Sequence, residues 1–260
     1  MKVLILGAGP AGLFAAQAAV EAGCEIIIMS KYGKSFMRGA QYLHRPIPGL
    51  SAASDRFLVT YVFDGDIEVY REKVYGPGSR IRVSPESLQG VHDAWDIRTA
   101  YDRAWERFGN LVLPLELSGA TDEIGGLKAW CQPDLIVSTV PAPLLCTQNH
   151  TFSAASIWAT DKAYGMYGMD NVVICDGHIK TPWYRKSSIH GFENTEYPEK
   201  TRPPVERVWE VIKPIHSNCT CYPDVIRLGR YGLWEKGVLS DGAYYSIKET
   251  LESGSQEALF

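Results

Sequence analysis

The first thirty residues constrain this chain more than any other stretch. Lys2-Val-Leu-Ile-Leu6 is an uninterrupted apolar run that opens directly into Gly7-Ala8-Gly9-Pro10-Ala11-Gly12. The alanine-rich segment Leu13 to Gly23 follows, and Glu25 to Met29 is a second apolar run. Runs of this kind read as strands buried on both faces, and the segment between them as a helix, which together make a βαβ unit. Gly7 permits the tight turn, Gly9 lets a pyrophosphate approach the backbone, and Gly12 lets the helix pack closely on the strand. The helix start at Pro10 and Ala11 adds free N–H groups, from Ala11 onwards since proline has none, and partial positive charge for phosphates. The unit therefore predicts dinucleotide binding. One position departs from the pattern: the acid expected at the end of the second strand is Ser30, followed by Lys31. Ser30 can offer a ribose only a neutral hydrogen bond. Lys31 suits a 2′-phosphate, which keeps NADP as an alternative dinucleotide.

The 260 residues carry 26 Lys+Arg and 30 Asp+Glu, a formal charge of −4, and 45% are hydrophobic. That length allows one large or two modest domains with a core ample for folding without disulfides. No run of about 18 apolar residues occurs, so no spanning helix is expected. The short apolar opening with its glycine pattern does not read as a signal peptide. A cytoplasmic, reducing location follows, with Cys24, Cys131, Cys146, Cys175, Cys219 and Cys221 as free thiols. The acidic balance lacks the global basicity of a nonspecific nucleic-acid binder.

Two later segments bear on the same domain. Asp134-Leu-Ile-Val-Ser-Thr-Val-Pro-Ala-Pro143 reads as another buried strand ending in a loop that contains Thr139 and Pro141. Val225-Ile-Arg-Leu-Gly-Arg-Tyr-Gly-Leu-Trp234 leads into a second amphipathic helix carrying Tyr244, Ile247 and Leu251, for which Ser240 or Asp241 is the expected N-cap. Together with Gly7–Gly12, these blocks resemble the glutathione-reductase-like FAD flavoproteins, especially the amine-oxidase and UDP-galactopyranose mutase branch. The resemblance implies FAD as cofactor. It places Met37-Arg38-Gly39-Ala40-Gln41 as the segment wrapping the flavin side, with the usual double glycine reduced to Gly39 and Ala40. It also places Gly229, Arg230 and Gly232 before a helix that begins beneath the isoalloxazine, where its N-terminus would stabilise reduced flavin. Compact size and the degenerate glycine motif are similar to small phage-encoded flavoproteins, some found alongside genes for hypermodified thymine; a host-cytoplasmic location would then follow.

The remaining chain reads differently. Phe57 to Phe63 and Ile67 to Tyr70 look like strands separated by the turn Asp64-Gly65-Asp66, and Val172 to Cys175 like another. Asp96 to Gly109 reads as a helix with Ile97, Tyr101, Ala104, Trp105 and Phe108 as its apolar stripe and a solvated charged face. The expected architecture is α/β: a Rossmann-like FAD-binding domain with a parallel sheet, assembled from residues 1–50, 95–149 and 205–260. A small antiparallel-sheet substrate domain, residues 51–94 and 150–204, is inserted twice.

For chemistry, Trp183-Tyr184-Arg185 with Ser187 resembles a substrate-domain segment near the flavin of the mutase branch. Arg185 would fix an anionic or amide group, while Trp183 or Tyr184 stacks a ring. His44 and His190 are acid/base candidates because imidazole titrates near neutrality. His216, Cys219 and Cys221 supply only three clustered ligands with an unusual Cys-x-Cys spacing, so no metal site is expected. These residues point to an FAD-dependent oxidoreductase or lyase that oxidises a C–N or C–O bond, with an amino-acid adduct on a hypermodified thymine as one candidate substrate. The net charge does not favour strong DNA affinity, though a small-molecule or extruded nucleobase substrate remains compatible with it. A mutase-like reaction on a nucleotide sugar and a noncatalytic dinucleotide-binding module are the alternatives. The sequence leaves the oligomeric state open.

Overall fold

The computed structural model describes residues 1–117 and 123–257. In chain order the elements are β1 (Lys2–Leu6), α1 (Pro10–Glu21), β2 (Glu25–Ser30), β3 (Arg56–Gly65), α2 (Ile67–Tyr75), β4 (Gly90–Trp95), α3 (Ile97–Phe108), β5 (Val112–Pro114) and α4 (Glu123–Cys131). They continue with β6 (Leu135–Ser138), β7 (Phe152–Thr160), β8 (Val172–Gly177), β9 (Arg185–Ile189), β10 (Phe192–Pro198), β11 (Val208–Ser217), β12 (Val225–Arg227), α5 (Gly229–Leu233) and α6 (Gly242–Glu257).

Five strands form a parallel sheet in the order β12-β6-β1-β2-β5. Its central strand explains the apolar run at the start of the chain: Val3 and Ile5 enter the core under α1, α3 and α6, while Leu4 and Leu6 enter a second core with Ile124 and Ile136. A strand covered on both faces can carry no polar side chain without leaving it unpaired. The chain leaves β1 towards β2 on one side, and β6 lies on the other. The fingerprint turn after β1 therefore sits at a topological switch point, where open parallel sheets bind ligands.

Helix α3 forms where its apolar stripe predicts. Asp96 accepts from the Arg98 N–H at 2.9 Å and caps it, and Ile97, Tyr101, Ala104 and Phe108 are buried. Its polar face does more than meet solvent, however. Arg103 donates to the Leu50 carbonyl and pairs with Asp55, and Arg107 donates to Gln17 Oε1 at 2.9 Å.

The second sheet runs β11-β7-β10-β9-β8-β3-β4. Its strands come from two separated stretches of the chain, but it is neither small nor wholly antiparallel. It has seven strands, and β3 pairs with β8 in parallel. Two expectations are corrected here. Ile67 to Tyr70 is not a strand but the start of α2, because Asp66 accepts from the N–H groups of Glu68 and Val69 and so nucleates a helix. Strand β11 lies beyond the boundary drawn at residue 205, yet it pairs along its length with β7 in the second sheet. The nucleotide half resumes only with β12. All six cysteines are unpaired, and no helix among the described residues is long and apolar enough to cross a membrane.

Candidate cofactor and substrate site

The fingerprint adopts the geometry its glycines require. Gly7 has φ +101° and donates to the Met29 carbonyl at 2.7 Å. A Cβ on Gly7 would collide with Thr139 Oγ1, and one on Gly12 would collide with the Gly7 carbonyl. At Gly9, by contrast, a Cβ would meet nothing within 4 Å. Glycine is thus needed at Gly7 and Gly12 for the fold, whereas at Gly9 the backbone borders open space. Thr139 locks the neighbouring loop, donating from N and Oγ1 to the Leu6 carbonyl at 2.8 and 3.1 Å. Tyr101 of α3 reaches the same turn: its hydroxyl donates to the Ala8 carbonyl at 3.0 Å and accepts from the Ser35 N–H at 3.1 Å.

The C-terminal motif returns to this turn. Leu228 donates to the Ser138 carbonyl at 2.8 Å, Gly229 faces Ala11, and Gly232 lies over the Ser138–Thr139 backbone. A cleft of about 430 Å³ opens here, lined by His44, Arg45, Gly229, Leu239, Asp241 and Gly242 among others, with the start of α6 at its wall. Asp241 is 1% exposed. One of its oxygens accepts from Arg45 Nε at 3.2 Å, and the other, Oδ1, is buried without a partner. The carboxylate, one of the two caps expected from the sequence beside Ser240, therefore does not cap α6. The Ser240 and Asp241 carbonyls accept from Ala243 and Tyr244 instead. A buried acceptor left open is costly unless a ligand donor fills it. The residues present fit a dinucleotide: a close-approach turn, an open backbone at Gly9, and an acceptor suited to a sugar or ribityl hydroxyl.

The segment after β2 bridges the two sheets. Arg98 donates to the carbonyls of Met37 and Gly39 and lies 3.5 Å over the Phe192 ring. Gly39 packs on Asn194 of β10, Gln41 folds back to the Arg38 carbonyl at 2.7 Å, and Arg38 lies over Trp209 of β11. Ala40 packs against the core of the second sheet. At the outer edge of the parallel sheet, Lys31 is paired with Glu116, which follows β5. That exposed pairing engages the lysine expected to favour a 2′-phosphate.

The face of the second sheet turned towards this segment carries a charge network. Glu196 of β10 accepts from Arg185 at 2.7 Å and from Lys213 of β11 at 2.8 Å, and Lys213 also donates to Tyr184 Oη at 2.9 Å. The two cations hold the Glu196 carboxyl well below the usual carboxylate range despite burial. Burial lowers Lys213 from its ordinary 10.5 to about 8, an effect that Arg185 and Arg230 reinforce and Glu196 opposes. Burial pushes the Tyr184 phenol well above its ordinary value. Arg185 Nε is buried and has no partner.

The sequence-derived candidates therefore fall into three places. His44 lines the cleft, its ring tilted against Tyr42 with centroids 4.7 Å apart, and desolvation lowers its pKa although Asp241 pulls the other way. Tyr184 and Arg185 belong to the charge network. Tyr184 is fully buried and meets Tyr70 edge to face, so it cannot stack a substrate ring, and the half-buried Trp183 has the Lys186 ammonium over its ring at 4.6 Å. His190 is elsewhere. With φ +49°, followed by Gly191 at +71°, it forms the two-residue turn between β9 and β10, and its ring packs on Phe57. That placement puts it at a hairpin turn and not among the residues lining the cleft. Glu196 and Lys213 were not found by sequence reasoning. They reside on strands whose alternation shows burial, but only the pairing of β9, β10, β7 and β11 shows that their charges meet.

The architecture is similar to several solved structures. The 2,6-dihydroxypyridine-3-hydroxylase of Arthrobacter nicotinovorans aligns with a TM-score of 0.56 at 8% identity, covering 96% of this chain and 83% of that one. BrvH, a flavin-dependent halogenase from Brevundimonas sp. BAL3, aligns at 0.54 and 9% identity, covering 97% and 71%. The p-nitrophenol 4-monooxygenase PnpA of Pseudomonas putida DLL-E4 aligns at 0.53 and 12% identity, covering 96% and 78%. At such identities the likeness shows a shared fold: a parallel sheet joined to a mixed second sheet. No protein-family model matches the chain, and no curated protein does.

Proposed function

We propose that this chain is an FAD-dependent oxidoreductase whose substrate lies against the charged face of the second sheet. The observation that carries the reading is the partnerless buried oxygen of Asp241, in a cleft that adjoins the glycine fingerprint and is walled by the start of α6. Fold neighbours that include a flavin-dependent halogenase, a hydroxylase and a monooxygenase support it. Gly7, Gly9 and Gly12 would receive the pyrophosphate, Asp241 a hydroxyl, and the α6 N-terminus the electron-rich edge of the ring. When bound, FAD supplies two-electron acceptance.

For the substrate, the excess positive charge of Arg185 and Lys213 over Glu196, with Arg230 close enough to depress Lys213 further, suits a carboxylate or another anion. Lys213, with a pKa of about 8, can take up or release a proton near neutral pH. Oxidation of a C–N or C–O bond in an anionic substrate is the reading these groups support. An amino-acid adduct on a thymine base has the required carboxylate and amine. The test is direct. Purified protein should show the absorbance of oxidised flavin, or acquire it when FAD is added, and the colour should bleach under substrate without oxygen. Modified DNA, free amino acids and a UDP-sugar are compared by nucleoside and metabolite mass spectrometry. A protein that remains colourless with excess FAD overturns the cofactor assignment; turnover of the UDP-sugar alone would favour the mutase-like reaction.

A further inference from the structure

Away from the cleft, four side chains with metal-ligating atoms converge. Cys146, His150, Cys219 and Cys221 place their sulfur and nitrogen atoms all within 4.8 Å of one another. His150 Nδ1 is 3.3 Å from Cys146 Sγ and 3.6 Å from Cys221 Sγ. In a tetrahedral zinc site, Zn–S of about 2.3 Å and Zn–N of about 2.0 Å set S···N edges of about 3.5 Å. Both measured edges lie close to that spacing. Along the chain, His216 is the histidine nearest the Cys-x-Cys pair, but it sits exposed on β11. The fold replaces it with Cys146 and His150, more than sixty residues away.

We propose that Cys146, His150, Cys219 and Cys221 form a closed, four-ligand zinc site that fastens the two sheets together. Three thiolates and one imidazole are a donor set that selects zinc in tetrahedral geometry. Four protein ligands leave no open position, so the role is structural. The surroundings fit bound thiolates: Arg227 donates to Cys219 Sγ at 3.4 Å and to the Cys221 carbonyl at 2.7 Å, and Thr147 Oγ1 donates to Cys221 Sγ at 3.5 Å. Three thiolates with Zn²⁺ carry a net charge of −1, which the guanidinium balances. Such outer hydrogen bonds orient and hold metal ligands. The placement gives the function. Residues 146–150 lie where the chain passes from β6 to β7, and 219–221 where it passes from β11 back to β12. Two of the four crossings between the sheets would be held by one ion. The proposal does not depend on the flavin reading.

The full chain, purified without chelator, is expected to hold one zinc ion by elemental analysis. Cobalt exchanged for zinc should give the visible bands of a tetrahedral ion and the near-ultraviolet band of thiolate ligation. Cys221→Ser and His150→Ala should reduce bound zinc to background, while Cys24→Ser retains it. Reduced wild-type protein that takes up neither zinc nor cobalt would overturn the site, and so would a disulfide among Cys146, Cys219 and Cys221 found by mass spectrometry in protein purified under reducing conditions. The wild-type measurements decide the matter even if the variants fail to fold.

Discussion

Replacing Lys213 with Met should flatten the alkaline rise in stability that this lysine imposes. Lys213 is held at about 8 against an ordinary 10.5, and its side chain is only 13% exposed. Each pKa unit is worth about 1.4 kcal/mol, so the charged lysine weighs on the folded state by about 3.4 kcal/mol relative to its neutral form. The sign follows from proton counting. Between pH 8 and 10.5 the unfolded chain binds more protons at this position than the folded one, so stability rises with pH there. Integrated from pH 7 to pH 10, the single group contributes a gain of about 2.5 kcal/mol. Urea unfolding of wild type and Lys213→Met at both pH values isolates this contribution, because other titrating groups cancel in the difference. The wild type should gain about 2.5 kcal/mol more than the variant between the two pH values. At pH 7 the variant should lose little, since the charging cost it removes offsets the lost bonds to Tyr184 and Glu196. Equal pH responses in the two proteins would refute the buried charged lysine.

Glu196→Gln acts in the opposite direction: it strands Arg185 and Lys213 without their anion and should cost about 3–5 kcal/mol at pH 7 in the same urea assay. Gly9→Val should leave the melting temperature of the FAD-free protein nearly unchanged, because the side chain enters open space, yet abolish flavin retention measured by absorbance and with it any stabilisation by added FAD. Tyr101→Phe removes the bonds to Ala8 and Ser35 and should cost about 1–2 kcal/mol, with weaker FAD affinity in a fluorescence titration. Asp66→Ala removes the cap of α2 and should cost about 1 kcal/mol in thermal unfolding, without changing flavin content.

The nucleotide half was legible because local rules decide it. An apolar run, a glycine pattern and an alanine-rich helix are each fixed by neighbouring residues, and β1, α1 and β2 form where the sequence places them. The helix stripe from Ile97 to Phe108 was readable for the same reason. The second sheet was less so. Ile67-Glu-Val-Tyr70 has strand-like composition, yet Asp66 in front of it is a helix cap, and the cap wins. The parallel pairing of β3 with β8 joins segments more than a hundred residues apart, which no local pattern specifies. The same distance hid the site chemistry. Lys213 looks like an ordinary exposed lysine until β11 brings it beside Tyr184 and Glu196. Asp241 reads as a helix cap until Arg45 takes one of its oxygens.

The last helix closes what the first one begins. Tyr244 of α6 bonds Glu21 at the end of α1, 223 residues earlier, and Ala243, Tyr244, Ile247 and Leu251 complete the core over α1. During synthesis, α1 therefore emerges from the ribosome long before the partner that covers its apolar face. Contacts of such sequence separation form late and slow folding, and exposed apolar surface in the interval invites aggregation. Cofactor loading should follow synthesis of α6 rather than precede it, since Gly229 reaches Ala11 of the fingerprint, and Asp241 takes its place in the cleft, only after the rest of the site has emerged. Expression yield should consequently respond more to chaperone supply than to flavin supply.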